Sequence, residues 1–213
     1  PAGAGKTALY RALSRGSSSI CPGNFPDVRK LSAAPFFIRN GLQISTSLLS
    51  LPRKNTRKLS RREFAWLSIL YGWPDILHKE LGKNHTIILD QGPVYLLTET
   101  CEFGPEYLRA QKAESLRQDL YSRWANTLNM IIWLDAADID LLNRIRRRDK
   151  THIIKNESTE TTYEFLARFR KAYARTISNL TANHRDLKIL RFDTSKKTPD
   201  EIARQLLFEF RSA

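Results

Sequence analysis

Met130-Ile131-Ile132-Trp133-Leu134 runs straight into Asp135, and this stretch decides the fold. It is too short for a helix and rich in residues that suit a strand. Two more runs share its form. Thr86-Ile87-Ile88-Leu89 precedes Asp90, and Leu187-Lys188-Ile189-Leu190-Arg191-Phe192 precedes Asp193. Long helical patterns separate the three. Strands spaced by helices pair in parallel through crossovers, so the class is α/β, a parallel β-sheet flanked by helices. In such sheets the active site lies at the carboxyl ends of the strands. Asp90, Asp135 and Asp193 therefore fall on one edge; the alternative for Asp90 is a cap or turn aspartate, and for Asp135 a cap.

Outward from these strands, residues 35–51 carry Phe36, Phe37, Leu42, Ile44, Leu48 and Leu49 at helical spacing. Residues 52–60 read as a basic linker. Ser60 stands three positions before Glu63, the capping-box spacing, which starts a helix running to about Tyr71. A second helical piece spans 75–81 and stops at Gly82. Residues 15–26, with Gly16, Pro22, Gly23 and Pro26, read as a loop without a strand. Residues 1–213 form one domain on this reading.

The 213 residues are 41% apolar and 27% charged, the composition of a soluble globular protein. No run of about 18 apolar residues marks a membrane span. No signal peptide is visible, and Cys21 and Cys101 have neither disulfide-framework nor metal-ligand spacing. A cytoplasmic location is expected. The net charge of +13 is concentrated in two segments. One holds Arg53, Lys54, Arg57, Lys58, Arg61 and Arg62 with no acid. The other holds Arg144, Arg146, Arg147, Arg148, Lys150 and Lys155 against Asp149 alone. Local basic clusters suit anionic partners such as phosphates; the plainer alternative is a solvated basic surface.

Pro1-Ala2-Gly3-Ala4-Gly5-Lys6-Thr7 opens the chain. Gly5, Lys6 and Thr7 match the end of the phosphate-binding pattern G-x-x-x-x-G-K-[ST]. Its first glycine would fall one residue before Pro1, so an upstream glycine and strand are expected. Glycines let backbone N–H groups of Ala2, Gly3, Ala4, Gly5, Lys6, Thr7 and Ala8 turn toward phosphate oxygens. The helix beginning near Lys6 points its positive end at the same oxygens. Lys6 adds a mobile cation for the β- and γ-phosphates, and the Thr7 hydroxyl can ligate magnesium.

On these residues the chain resembles the P-loop kinases of the thymidylate kinase and nucleotide kinase group. The resemblance rests on 2–7, on Ile87-Ile88-Leu89-Asp90-Gln91-Gly92-Pro93, and on Trp133-Leu134-Asp135 followed by Leu142, Arg144, Arg146, Arg147 and Arg148. It implies a nucleotide-kinase-like fold binding ATP and magnesium. Asp90 fits the group's aspartate beside magnesium and acceptor; Gln91 departs from the arginine that follows it there. The resemblance also implies an arginine-rich lid at about 144–160. Arg144, Arg147, Arg148 and Thr151 share one helical face by spacing, and arginine grips phosphoryl oxygens in pairs. Lys196, in the loop after the last strand, is expected near the nucleobase.

The acceptor side, about 27–85, is aromatic and basic, with Phe36, Phe37, Arg39, Phe64, Trp66, Tyr71 and Trp73; at helical spacing such residues also build a core. The expected activity is phosphoryl transfer from ATP to a small-molecule acceptor, which can itself be phosphorylated. The catalytic residues would be Lys6, Asp90, Arg144, Arg147 and Arg148. Thr7 and Asp90 would serve magnesium, Asp90 through water. The alternative is a regulatory P-loop NTPase switch acting on a protein partner. A membrane or nucleic-acid partner is not expected, and homodimerisation is left open.

Overall fold

The computed structural model describes residues 2–23, 26–27, 30–51, 57–81, 86–90, 92–148, 152–184 and 186–211. Its elements run α1 (Lys6–Gly16), β1 (Ile20–Pro22), α2 (Ala34–Leu49), α3 (Arg61–Leu81), β2 (Thr86–Ile88), α4 (Pro93–Cys101) and α5 (Glu106–Arg109). They continue with α6 (Glu114–Ala125), β3 (Met130–Asp135), α7 (Asp138–Arg146), α8 (Thr159–Asn183), β4 (Lys188–Asp193) and α9 (Pro199–Arg211). Single 3₁₀ turns precede α2 and α6. The fold is mostly helical and mixed α/β.

The three expected strands form where the apolar runs lie. They pair in parallel, but not as one sheet. Among the described residues, β1 pairs with β2 and β3 with β4, each in parallel. Ile20 is opposite Thr86, and Met130 through Asp135 are opposite Lys188 through Asp193. Strand β1 corrects the expectation of a strandless loop at 15–26. Three residues give no readable alternation, and Pro22 disguises the end of the strand.

Side chains alternate between two cores along both pairs. Ile87, Leu89, Ile131 and Trp133 belong to one hydrophobic core, Ile88, Met130, Ile132 and Leu134 to the other. The first core is built on Leu67, Leu70, Trp73, Leu97, Leu120 and Trp124; the second on Leu13, Leu141, Ile145, Leu166 and Leu206. Each fully buried Leu or Ile there contributes about 1.5–3 kcal/mol. Thr86 to Leu89 and Asn129 to Leu134 line the same cleft, of about 1310 Å³.

Helix α3 corrects a second expectation. It runs unbroken through Pro74, where two helical pieces were read. Trp73 and Leu77, on either side of the proline, are 1% and 3% exposed, and their burial holds the helix together across it. Proline removes the N–H that would reach the carbonyl of Leu70; Trp124 supplies a replacement donor. The stop expected at Gly82 lies outside the described residues. The start of α3 follows its sequence signal. Ser60 N–H donates to Glu63 Oε2 at 2.8 Å, and Glu63 N–H to Ser60 Oγ at 3.2 Å.

Candidate functional site

Gly3 and Gly5 take φ of 81° and 82°, and α1 starts at once with Lys6. Left-handed backbone at alternate positions is available to glycine at little cost. It folds residues 2–5 into a tight turn with Ala4 buried beneath it. Gly3 lies against α7: a Cβ there would come within 3.1 Å of the Leu141 carbonyl oxygen. A Cβ at Gly5 would meet nothing within 4 Å. The first turn of α1 holds no acid, and its N-cap makes no side-chain hydrogen bond. Such a helix start suits an anion. Thr7 and Ala8 are exposed in that turn.

Lys6 reaches into the cleft and is half-buried. Burial pulls its pKa below the ordinary lysine value; the carboxylate of Asp90 opposes the shift and the guanidinium of Arg148 adds to it. His152 is likewise lowered, first by burial, then by Arg148 and Lys6. Lys6, Asp90, Arg148 and His152 thus form one electrostatic group, assembled from the N-terminal loop, the end of β2 and the segment after α7. Lys6, Asp90 and His152 line the cleft, and Asp90 and Arg148 are exposed.

Other expected residues lie elsewhere. Helix α7 ends at Arg146, so the helical face proposed for the lid is not continuous. Arg144 donates to the hydroxyl and carbonyl oxygens of Thr194 at 2.8 and 2.9 Å, tying α7 to the turn after β4, and does not line the cleft. Arg147 is the exposed C-cap of α7, and Arg146 donates to the Glu157 carbonyl at 3.3 Å. Lys155 bonds the Arg148 carbonyl. Lys196 is exposed and 3.7 Å from Asp193. Asp135 is held by Arg170 at 2.8 and 3.1 Å, and the same guanidinium binds Asp138 at 2.5 Å. Asp135 is therefore a structural anchor for α8. Pro1, Gln91, Asp149, Lys150 and Thr151 lie outside the described residues, as do Arg53 and Lys54.

The acceptor-side aromatics divide. Trp73 belongs to the core, and Phe36, Phe37, Phe64 and Tyr71 pack against it. Trp66 lines the cleft, joined by residues the sequence reading missed: Tyr95 and Glu99 of α4, Phe103, and Phe165, Arg168, Phe169 and Tyr173 of α8. The signal was present as an aromatic stripe at 165, 169 and 173, a spacing that core helices share. Burial raises Glu99 above the usual carboxylate range, with Arg62 opposing and Glu63 adding.

Among the described residues no cluster of three metal-ligating side chains occurs. No helix there is long and apolar enough to cross a membrane. Compared with known protein families, characterised proteins and solved structures, the chain has no significant match.

Proposed function

We propose that the chain is a P-loop kinase that transfers the γ-phosphoryl group of ATP to a small-molecule acceptor. One observation carries the reading: Lys6 and Asp90, far apart in sequence, line one cleft, and the Lys6 ammonium feels both the Asp90 carboxylate and the Arg148 guanidinium. The glycine turn and the start of α1 supply backbone N–H groups for phosphate oxygens. Lys6 neutralises the transferring phosphoryl group, and Arg148 stabilises charge spread over its oxygens. Asp90 accepts the proton of the acceptor hydroxyl. The Thr7 hydroxyl and the Asp90 carboxylate are hard oxygen donors that suit magnesium, which would offset phosphate charge.

Gln91, standing where the kinase group carries arginine, favours a second reading: an NTPase that hydrolyses ATP slowly and signals to a protein partner.

ADP formation decides between them. The chain, extended upstream through the expected strand, is incubated with ATP and magnesium across nucleosides, nucleoside monophosphates and sugars. The kinase reading expects ADP that depends on one acceptor class and is lost in Lys6→Ala. Slow, acceptor-independent ADP that is lost in Lys6→Ala supports the NTPase. ADP formation unchanged in that variant removes Lys6 from the site.

A further inference from the structure

Beyond Asp90 the cleft changes character. Part of its lining is aromatic and comes from separate elements: Trp66 of α3, Tyr95 of α4, and Phe169 and Tyr173 of α8. Phe103 packs on Phe169 with ring centroids 4.6 Å apart, and Trp66 meets Tyr95 edge-on at 6.2 Å. Flat apolar walls of this kind accept a flat ring. Among them lies one acid. Glu99 is half-buried in this wall, one helical turn from Tyr95 on α4. An acid in a largely apolar cleft is costly, and the cost is recovered when a ligand N–H bonds to it. Arg62, stacked 4.3 Å over Trp66, is exposed and charged at the same cleft.

We infer that Glu99 is the specificity-determining residue of this cleft, reading an amino group on the edge of a flat heteroaromatic ring held between the aromatic walls. The inference rests on the kinase reading for one feature only, the direction of the acceptor hydroxyl toward Asp90. A carboxylate oxygen accepts from an exocyclic amine and has no favourable contact with a carbonyl in its place. Glu99 therefore selects amino-bearing rings over their oxo counterparts. Arg62 is placed to take an anionic tail or to orient Glu99.

Calorimetric titration of matched ligands tests this, using cytidine against uridine and adenosine against inosine. The amino member of at least one pair is expected to bind roughly 10-fold tighter. Glu99→Met, which removes the acceptor and keeps the volume, brings the ratio close to one. Glu99→Gln, which keeps one acceptor oxygen, retains part of it. Thermal melting checks both variants; should Glu99→Met fail to fold, Glu99→Gln alone carries the test through its reduced ratio. Equal binding within both pairs in the parent chain, an unchanged ratio in the variants, or no binding of any of the four overturns the inference. ADP formation is scored separately. Selective binding with no acceptor-dependent ADP across the whole acceptor panel keeps Glu99 and refutes the kinase, whereas transfer indifferent to Glu99 refutes only the role given to Glu99.

Discussion

The indole Nε1 of Trp124 donates to the carbonyl oxygen of Leu70 at 2.8 Å, and that carbonyl is the one that Pro74, four residues on, cannot serve. Trp124 and Leu70 are both fully buried. A long-range side chain thus repairs a local defect in α3, and water has no access to do so. Trp124→Phe keeps the packing and removes the donor, leaving a buried unsatisfied carbonyl at a cost of about 1–3 kcal/mol. Adding Pro74→Ala restores a helical N–H for Leu70, so the double variant is expected to unfold at higher urea than Trp124→Phe alone. No recovery in the double variant would show that Trp124 acts through packing only.

The reciprocal bonds of Ser60 and Glu63 make the start of α3 sensitive to acid. Glu63 is lowered from 4.5 to about 2, chiefly by its hydrogen bond from Arg57, with Ser60 assisting and burial opposing. A depressed folded-state pKa means stability that is fully present above the unfolded value. It is lost as the pH falls from about 4.5 to about 2. Glu63→Gln is expected to flatten the stability profile in that window and to lower stability at pH 7. Ser60→Ala is expected to cost about 1 kcal/mol at neutral pH. Denaturant unfolding at several pH values measures both.

Residues 86–88, 130–134 and 188–192 were legible as strands because each lies in a short, largely apolar run that ends at an aspartate. The capping box was legible because its chemistry is local. Three things were not. Strand β1 owes its existence to pairing with β2, which no local signal encodes. The continuity of α3 through Pro74 depends on Trp124, distant in sequence. Phe165, Phe169 and Tyr173 form a cleft wall by their place in the fold, while their spacing alone equally describes a core stripe. Of the candidate site, Lys6 and Asp90, which line the cleft, were readable, as was the glycine turn. Arg144 was not separable from Arg148, because both stand in one basic run and only tertiary contacts distinguish them.

Gly3 and Gly5 share a backbone conformation but differ in surroundings. Left-handed φ costs a non-glycine residue roughly 1–2 kcal/mol. Gly5→Ala bears only that cost, since its Cβ would enter open space. Gly3→Ala adds a contact of 3.1 Å with the Leu141 carbonyl oxygen, so the loop or α7 must shift. Gly3→Ala is therefore expected to lower the melting temperature more than Gly5→Ala does. On the proposed function both weaken ATP binding, Gly5→Ala with the smaller loss of fold. Thermal melts beside ATP titrations separate the effects, and equal melting losses would argue against the Leu141 contact.

Arg144 and Arg148 should likewise divide between stability and binding. Arg144 is half-buried and holds two oxygens of Thr194, joining α7 to the turn that follows β4. Removing it strands those acceptors, and Arg144→Ala is expected to cost about 1–3 kcal/mol. Arg148 is exposed, and its charge is felt by both Lys6 and His152. Arg148→Ala should change stability by less than about 0.5 kcal/mol, as surface substitutions usually do. Its loss removes a cation from the proposed phosphoryl site, so turnover should fall roughly 10-fold or more. Removing that positive neighbour also lets the pKa values of Lys6 and His152 rise, a change visible in the NMR titration of the His152 ring protons. The opposite division, with Arg148→Ala unstable and Arg144→Ala inactive but stable, would reassign the lid to Arg144 and require its bonds to Thr194 to break when ATP binds.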